Sequence, residues 1–261
     1  MRTIRLSRPV NPGTGKMRAV FPVHAITLDL DDTIWPVAPA LVRAETALGA
    51  WLLKHAPRTA ARWPLEAIRA LREQVSAERP DLAHDFTQQR RLTLERMLRE
   101  AGDDPALAVP AFDAYFAARC QVEHYDDSLA ALGRLAAHVP LAALSNGNAC
   151  LKTIGLMHLF RFQLGAREHG AAKPTASIFH AACTQLGCEP RHVLHVGDDV
   201  EMDVVGAHRA GLRSCWLNRP DASGAARHWP HADLRPDLEF PSLGALADWL
   251  DAAHRPQRIS A

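Results

Sequence analysis

The chain lacks any uninterrupted apolar run near the ~20 residues that a membrane span needs. It also lacks a C-x-x-C pair among its five cysteines, Cys120, Cys150, Cys183, Cys188 and Cys215. The first absence argues against a membrane role. The second, with an odd count, argues against a zinc site or a disulfide framework and for reduced thiols in a cytoplasm. Charge of one sign is scarce as well: a formal net charge of +1 gives no field to gather nucleic acid. No internal repeat is present. Residues 1–28 hold no acid, only Arg2, Arg5, Arg8, Lys16 and Arg18. Pro9, Pro12, Gly13 and Gly15 spoil an amphipathic targeting helix there. Residues 1–20 are therefore expected to form a flexible arm, with Met17 as an alternative start.

What remains is an ordinary globular composition, 48% hydrophobic and 23% charged over 261 residues. That length holds one large domain, or a core with a smaller insert. Residues 25–33 organise the reading. Ile26, Thr27 and Leu28 suit a buried strand, which cannot also bury Asp29 and Asp31 without partners. Those acids must lie at its carboxyl end, where α/β proteins bind ligands. Two apart, they point to one side, so one takes a proton or a cation joins them. Alone, the stretch reads equally well as an acidic turn after an edge strand.

After Pro36 come only helical patterns: residues 39–54, 65–78, 85–100 with Gly102 beyond, and 105–123 kinked at Pro110. No strand signal interrupts residues 37–124, which predicts a helical domain inserted into a core of residues 21–36 and 125–261. From residue 126 helices and short apolar strands alternate. A helix capped by Asp126 or Asp127, with Leu129 and Leu132 inward, precedes a strand over 141–144 that ends at Ser145-Asn146-Gly147. A helix to about residue 159 leads to a strand over 162–165. Lys173-Pro174 then opens a helix with Ile178, Phe179, Ala182 and Leu186. Strands over 192–196 and 213–217 flank Gly197-Asp198-Asp199 and a helix over 202–210, and Ser242 caps the last helix. Such an order means an α/β fold with a parallel sheet and right-handed crossovers.

Four strand ends thus carry polar residues: Asp29 with Asp31, Ser145, the Lys173 loop, and Asp198 with Asp203. Singly they read as turns, surface loops or helix-end acids. A parallel sheet sets them along one edge, where they can converge into a nucleophile, an acid/base, a cation and a metal cage. At this point the chain resembles the haloacid dehalogenase superfamily. Asp29-x-Asp31-x-Thr33, Ser145-Asn146, Lys173-Pro174 and Gly197-Asp198-x-x-x-x-Asp203 look like its four motifs in order. Asp32, in place of the usual glycine, is similar to the phosphatase branches that read Asp-x-Asp-Asp-Thr.

The resemblance implies a Rossmann-like core, an α-helical cap at residues 37–124 and a Mg²⁺-dependent phosphatase. Asp29 would form an aspartyl-phosphate. Asp31 would protonate the leaving oxygen and activate water. Ser145 would donate to the phosphoryl group and Asn146 would meet substrate beside it. Lys173 would neutralise charge, and Thr33 would hold the loop. Mg²⁺ would sit on Asp29, the Asp31 carbonyl and Asp198, with Asp203 behind them; Asp199 would only cap a helix. The partner is a small phosphorylated molecule that a closing cap encloses, hinged at Pro36 and residues 123–127. The branch resembles flavin mononucleotide phosphatases and pyrimidine nucleotidases, and Trp35 would suit stacking against a planar ring. Arg90 and His84 are candidates for the cap–core cleft, while Arg91, Arg96 and Arg99 read as a solvated face. His195, mid-strand, reads as a hydrogen-bonded core residue. The competing readings are a 2-haloacid dehalogenase, or a phosphate-accepting regulatory module without turnover. Oligomeric state is not legible.

Overall fold

Six strands form one parallel sheet in the order β3-β2-β1-β4-β5-β6. The computed structural model describes residues 21–221 and 223–254, and the arm expected over 1–20 lies outside them. The strands are β1 (Ala25–Leu28), β2 (Leu141–Ser145), β3 (Gln163–Gly165), β4 (Val193–Gly197), β5 (Arg213–Leu217) and β6 (Leu238–Phe240). All four residues of β1 are buried, as a central parallel strand demands. Leu28 pairs with Ala143 of β2 on one side and Val196 of β4 on the other. The carboxyl ends of these three strands therefore finish side by side.

Strand alternation splits the core into two layers. Ile26, Leu28, Ala143 and Val196 face α6 (Ser128–His138) and α11 (Leu243–His254) through Leu132, Leu135, Leu246 and Leu250. Ala25, Leu144 and Val193 turn the other way onto α9 (Ala176–Leu186), meeting Ile178, Phe179 and Ala182. Helices on both faces of a parallel sheet make the α/β Rossmann-like architecture.

Between β1 and α6 lie only helices: α1 (Val37–His55), α2 (Pro57–Arg62), α3 (Leu65–Glu78), α4 (Phe86–Ala101) and α5 (Ala108–Arg119), with short 3₁₀ turns. Asp85 caps α4 by accepting the Gln88 N–H at 2.9 Å. These helices close on a core of their own, built from Leu48, Leu52, Leu94, Met97, Leu98 and Phe112. The two crossings back to the sheet touch each other: Tyr125 N–H donates to the Ile34 carbonyl at 3.1 Å. Arg219 clamps both crossings, reaching the Thr33 carbonyl at 3.1 Å and the Asp127 carboxylate at 2.9 Å.

Several expectations are corrected. The helix over 105–123 is a 3₁₀ turn, Pro105–Leu107, followed by α5, which stops at Arg119. The helix to residue 159 breaks after α7 (Leu151–Ile154), because Gly155 takes φ 90° and ends it. Residues 202–210 are a π-type turn, Val200–Val205, running into α10 (Gly206–Arg209). Leu129 lies on the solvent side of α6, at 47% exposure, off the stripe of Ala131, Leu132 and Leu135. Asp127 precedes α6, yet its carboxylate serves α11 instead, accepting the Gly244 N–H at 2.9 Å.

Asp127 thus ties α11 to the crossing. Burial pushes its carboxyl up, but Arg219 and the Gly244 N–H outweigh burial and hold it below its ordinary value. A carboxyl depressed in this way adds stability above its unfolded pKa of about 4. That contribution is lost as pH falls through the folded value. Asp127→Ala should lower the unfolding free energy by about 2 kcal/mol at neutral pH. The gap from the parent should shrink below about pH 4, as urea melts on both sides of that value will measure.

Candidate active site

β1 runs out at Asp29, whose N–H still bonds the Val196 carbonyl at 2.9 Å while its carboxylate leaves the sheet edge. Lys173 Nζ donates to Asp29 Oδ1 and to Asp203 Oδ1, each at 2.6 Å, with the lysine side chain 2% exposed. The Lys173 loop is brought there by Asn146. The Asn146 Oδ1 accepts the Lys173 N–H at 2.8 Å and its Nδ2 donates to the Lys173 carbonyl at 2.9 Å. Asn146, expected against substrate, therefore commits both ends of its amide to the loop and acts as a clamp. Ser145 Oγ accepts the Gly147 N–H at 3.0 Å, which leaves its O–H to donate.

Asp203 is reached from the fourth strand end. A Cβ at Gly197 would overlap the Asp203 carboxylate, so only glycine lets that side chain fold back across β4. Asp203 Oδ1 also meets His195 Nε2 at 3.1 Å, and His195 Nδ1 meets Thr27 Oγ1 at 2.8 Å. Asp203 Oδ2 accepts the Asp199 N–H at 3.0 Å. Asp199 itself accepts the Glu201 and Met202 N–H groups, the capping role expected of it.

Charge is unevenly shared in this buried cluster. Burial opposes the lysine's charge, yet Asp203 and Asp29 outweigh burial and keep Lys173 cationic. Burial also opposes the charge on Asp203, but Lys173 and His195 hold it ionised, well below the usual carboxylate range. Asp29 is pushed up, because burial with Asp203 and Asp31 nearby outweighs Lys173. Asp198 is pushed up to about 7 by burial and by Asp203 and Asp32. Asp29, Asp198 and Asp203 each offer an oxygen within 4.8 Å of the others. A divalent cation there would offset the repulsion that raises Asp29 and Asp198, and an all-oxygen donor set fits Mg²⁺. Both oxygens of Asp203 are already bonded, so Asp29 and Asp198 are the freer donors.

Asp31 stands on the other side of Asp29 and is held by two donors. Trp35 Nε1 reaches its Oδ1 at 2.8 Å, and Arg119 Nη2 reaches Oδ1 at 2.7 Å and Oδ2 at 2.5 Å. This corrects the stacking role expected of Trp35. The indole is 0% exposed, edge-on to His124, and presents no face to a planar ring. Asp32 takes φ 58°, the left-handed region that explains the glycine usual there, and its carboxylate accepts the Val37 N–H at 2.9 Å to cap α1. A Cβ at Gly147 would lie 2.6 Å from Asp31 Oδ2, so the loop after Ser145 needs glycine to pack on that carboxylate. Arg119 is the partner of Asp31 that sequence reasoning missed. The signal was there: Phe112, Tyr115 and Arg119 share the buried stripe of α5, and an arginine on an apolar stripe needs a partner.

A cleft of about 810 Å³ opens from Asp31, Gly147 and Arg119 into the helical insert. Its walls include Leu48, Leu52, Trp63 and Tyr115, and its rim includes Val42 and Phe86, which are 66% and 51% exposed. Arg90 lines this cleft, but its charge is spent on Glu45 at 3.0 Å and on the Tyr115 ring, 3.8 Å from its centroid. His84 is not among the lining residues. Arg96 pairs with Glu78 and Glu100 on the outer face.

Comparison with known proteins agrees with this geometry. The chain is 32% identical over 228 residues to the Escherichia coli 5-amino-6-(5-phospho-D-ribitylamino)uracil phosphatase YigB, covering 86% of this chain and 94% of that one. It is 34% identical over 112 residues to the Escherichia coli pyrimidine 5'-nucleotidase YjjG, across 40% of this chain and 50% of that one. Among solved structures, a 2-haloacid dehalogenase from Pseudomonas syringae superposes with a TM-score of 0.81 at 34% identity, covering 88% of this chain and 98% of that one. Residues 23–211 match the haloacid dehalogenase-like hydrolase family as a whole, and the chain belongs to it.

Proposed function

We propose that the chain is a Mg²⁺-dependent phosphatase that hydrolyses a small phosphomonoester through an aspartyl-phosphate on Asp29. The observation that carries this reading is the Lys173 ammonium between Asp29 and Asp203, with Asp198 completing an oxygen-lined cage beside them. An Asp29 oxygen attacks phosphorus and the ester oxygen departs as an alcohol, taking a proton from Asp31. Water then attacks the aspartyl-phosphate, giving its proton to Asp31 and releasing phosphate with Asp29 restored. Lys173 neutralises the nucleophile and the phosphoryl oxygens, and the Ser145 hydroxyl donates to one of them. Asp29, the Asp31 carbonyl and Asp198, with Asp203 behind, would hold Mg²⁺, which would supply further neutralisation of phosphoryl charge.

The cleft supports an ester whose alcohol carries a planar ring of flavin or pyrimidine type. Apolar side chains make up much of its wall, with Gln89 among the polar residues and Arg72, like Arg90, paired with Glu45. Two relatives are named for phosphate esters of pyrimidine compounds. All five cysteines are free, which supports a reducing cytoplasm. No helix of the described residues is long and apolar enough to cross a membrane. The similarity to a protein named as a 2-haloacid dehalogenase favours a second reading, attack of Asp29 on carbon. That chemistry needs Asp203 only as the partner of Lys173 and has no use for a divalent cation between Asp29 and Asp198.

Asp29→Asn should cut phosphate release by roughly 10⁴-fold or more while the variant still folds, as its circular dichroism spectrum will check. Asp31→Asn should be severely slowed as well. A near-parental rate in Asp29→Asn would falsify the nucleophile. EDTA should silence the enzyme, Mg²⁺ should restore it, and Ca²⁺ should do so poorly, because its longer, more numerous bonds misalign Asp29. Full activity in chelator, with halide released from a 2-haloacid, would instead establish the carbon reading. Across a panel of flavin mononucleotide, nucleoside monophosphates, phosphoglycolate and hexose phosphates, the ring-bearing esters should lead in kcat/KM by about tenfold (~1.4 kcal/mol). Phe86→Ala should narrow that lead and leave phosphoglycolate turnover unchanged; a lead for the aliphatic esters would sink the planar assignment.

A further inference from the structure

The helical insert delivers a buried cation to the site, and the reaction outlined above gives it no task. Arg119, the last residue of α5, is 2% exposed. One of its terminal nitrogens, Nη2, serves both oxygens of Asp31. The other, Nη1, is buried without any hydrogen-bond partner. A buried guanidinium N–H left unpaired costs free energy, and native proteins rarely keep one idle. The guanidinium is planar, so Nη1 lies beside the same carboxylate that Nη2 holds. On the Nη2 side stands Gly147, where a Cβ would come within 3.7 Å of Nη2 and 3.4 Å of the Ser145 hydroxyl, so the guanidinium and that hydroxyl flank the same loop. Arg119 also lines the cleft with Asp31, Gly147 and Asn148.

We infer that Arg119 is a catalytic residue of the phosphatase reaction, an anion ligand carried by the insert, whose Nη1 donates to a phosphoryl oxygen of the bound ester. The inference rests on the phosphatase reading. Two observations carry it. The unpartnered donor points to a ligand with an acceptor, and the place beside Asp31 is where the ester oxygen and its phosphorus must come for Asp31 to protonate the leaving group. Lys173 then neutralises the phosphoryl group from the Asp29 side and Arg119 from the Asp31 side. A fork-shaped cation that bridges a carboxylate and a phosphoryl oxygen also fixes their relative position, which a lysine point charge does less well. Because Arg119 belongs to α5, the second cation is present only while the insert is seated on the sheet edge.

The alternative is that Arg119 merely balances Asp31, and a double-mutant cycle separates the two. In Asp31→Asn the carboxylate no longer needs a counter-charge, so a purely balancing arginine becomes dispensable. Orthovanadate, a phosphoryl mimic, is titrated calorimetrically in Mg²⁺ into Asp31→Asn and into Asp31→Asn/Arg119→Gln. Asp31→Asn leaves the Arg119 cation without its anion while the double variant removes both charges, so thermal melts of both variants accompany the titrations and the comparison is made where both are folded. The expected result is a loss of vanadate affinity of at least about tenfold in the double variant (~1.4 kcal/mol). Equal affinities within about twofold would overturn the inference while leaving parental turnover, and the phosphatase reading, intact. A parental protein that releases no phosphate from any ester would overturn the reading and the inference together.

Discussion

The site hangs on one ammonium group. Lys173 Nζ sits 2.6 Å from both Asp29 and Asp203, and neither the lysine nor Asp203 has water to fall back on. Burying those charges is tolerable only if every partner is in place, and the partners come from four segments of chain. β1 ends in Asp29. The loop after β2 supplies Asn146, which grips the Lys173 backbone from both sides. β4 supplies His195 and the glycine that lets Asp203 fold back. Removing one partner strands a buried charge, so the parallel sheet and the charge network specify each other. Thr27 on β1 extends the network inward by bonding His195, which fixes a polar histidine inside an apolar layer against Phe179.

A second pair, Asp31 with Arg119, answers the first across the cleft. Here the cation belongs to the helical insert and the anion to the sheet edge. The first pair locks the core to itself; the second locks the insert to the core. Arg219 reinforces the crossing by holding the Thr33 carbonyl and Asp127 together while stacking on Tyr125. The insert otherwise keeps its own apolar core. Its attachment to the sheet edge therefore depends on a few directional polar contacts near the site, which is the kind of interface that can open and close without unfolding either part.

Much of this was legible in the order of residues. The acids of residues 29–33 follow directly on apolar neighbours, and Ser145, Lys173 and Asp198 each close a strand or open a loop, so local pattern alone placed them along one edge. Contacts distant in sequence were not legible. Arg119 meets Asp31 across 88 positions, and nothing near Asp31 announces an arginine partner. Trp35 looked like an entrance residue because it follows the acidic loop, but its neighbours Leu30 and Ile34 carry it into the core. Asn146 sits beside Ser145 and shared its expected role until the amide was found turned toward Lys173. Short elements escaped for a different reason. β6 has three residues and none is buried, so no apolar alternation marks it. The π-type turn at Val200–Val205 shares the composition of an ordinary helix start, and only the position of Asp203 requires the wider winding.

Similarity to proteins named as phosphatases and as a dehalogenase is not a contradiction once the site is divided by function. The fold sets a carboxylate at the end of β1 with a lysine beside it, and that half would serve attack on carbon or on phosphorus alike. What separates the two chemistries is the charge the electrophile brings. A phosphoryl dianion approaching Asp29 and Asp31 meets carboxylates that burial, with neighbouring acids added, already pushes up, Asp198 to about 7. Such an electrophile is approachable only where surplus positive charge can be gathered. The oxygen-lined group of Asp29, Asp198 and Asp203 is able to hold a divalent cation, and Arg119 brings a permanent one. Attack on the carbon of a 2-haloacid would have no use for the divalent cation, although the acid's own carboxylate could also use Arg119. Under the phosphatase reading, what would set the two chemistries apart is therefore Asp198, at the end of β4, facing Asp29 across the group that can hold a cation.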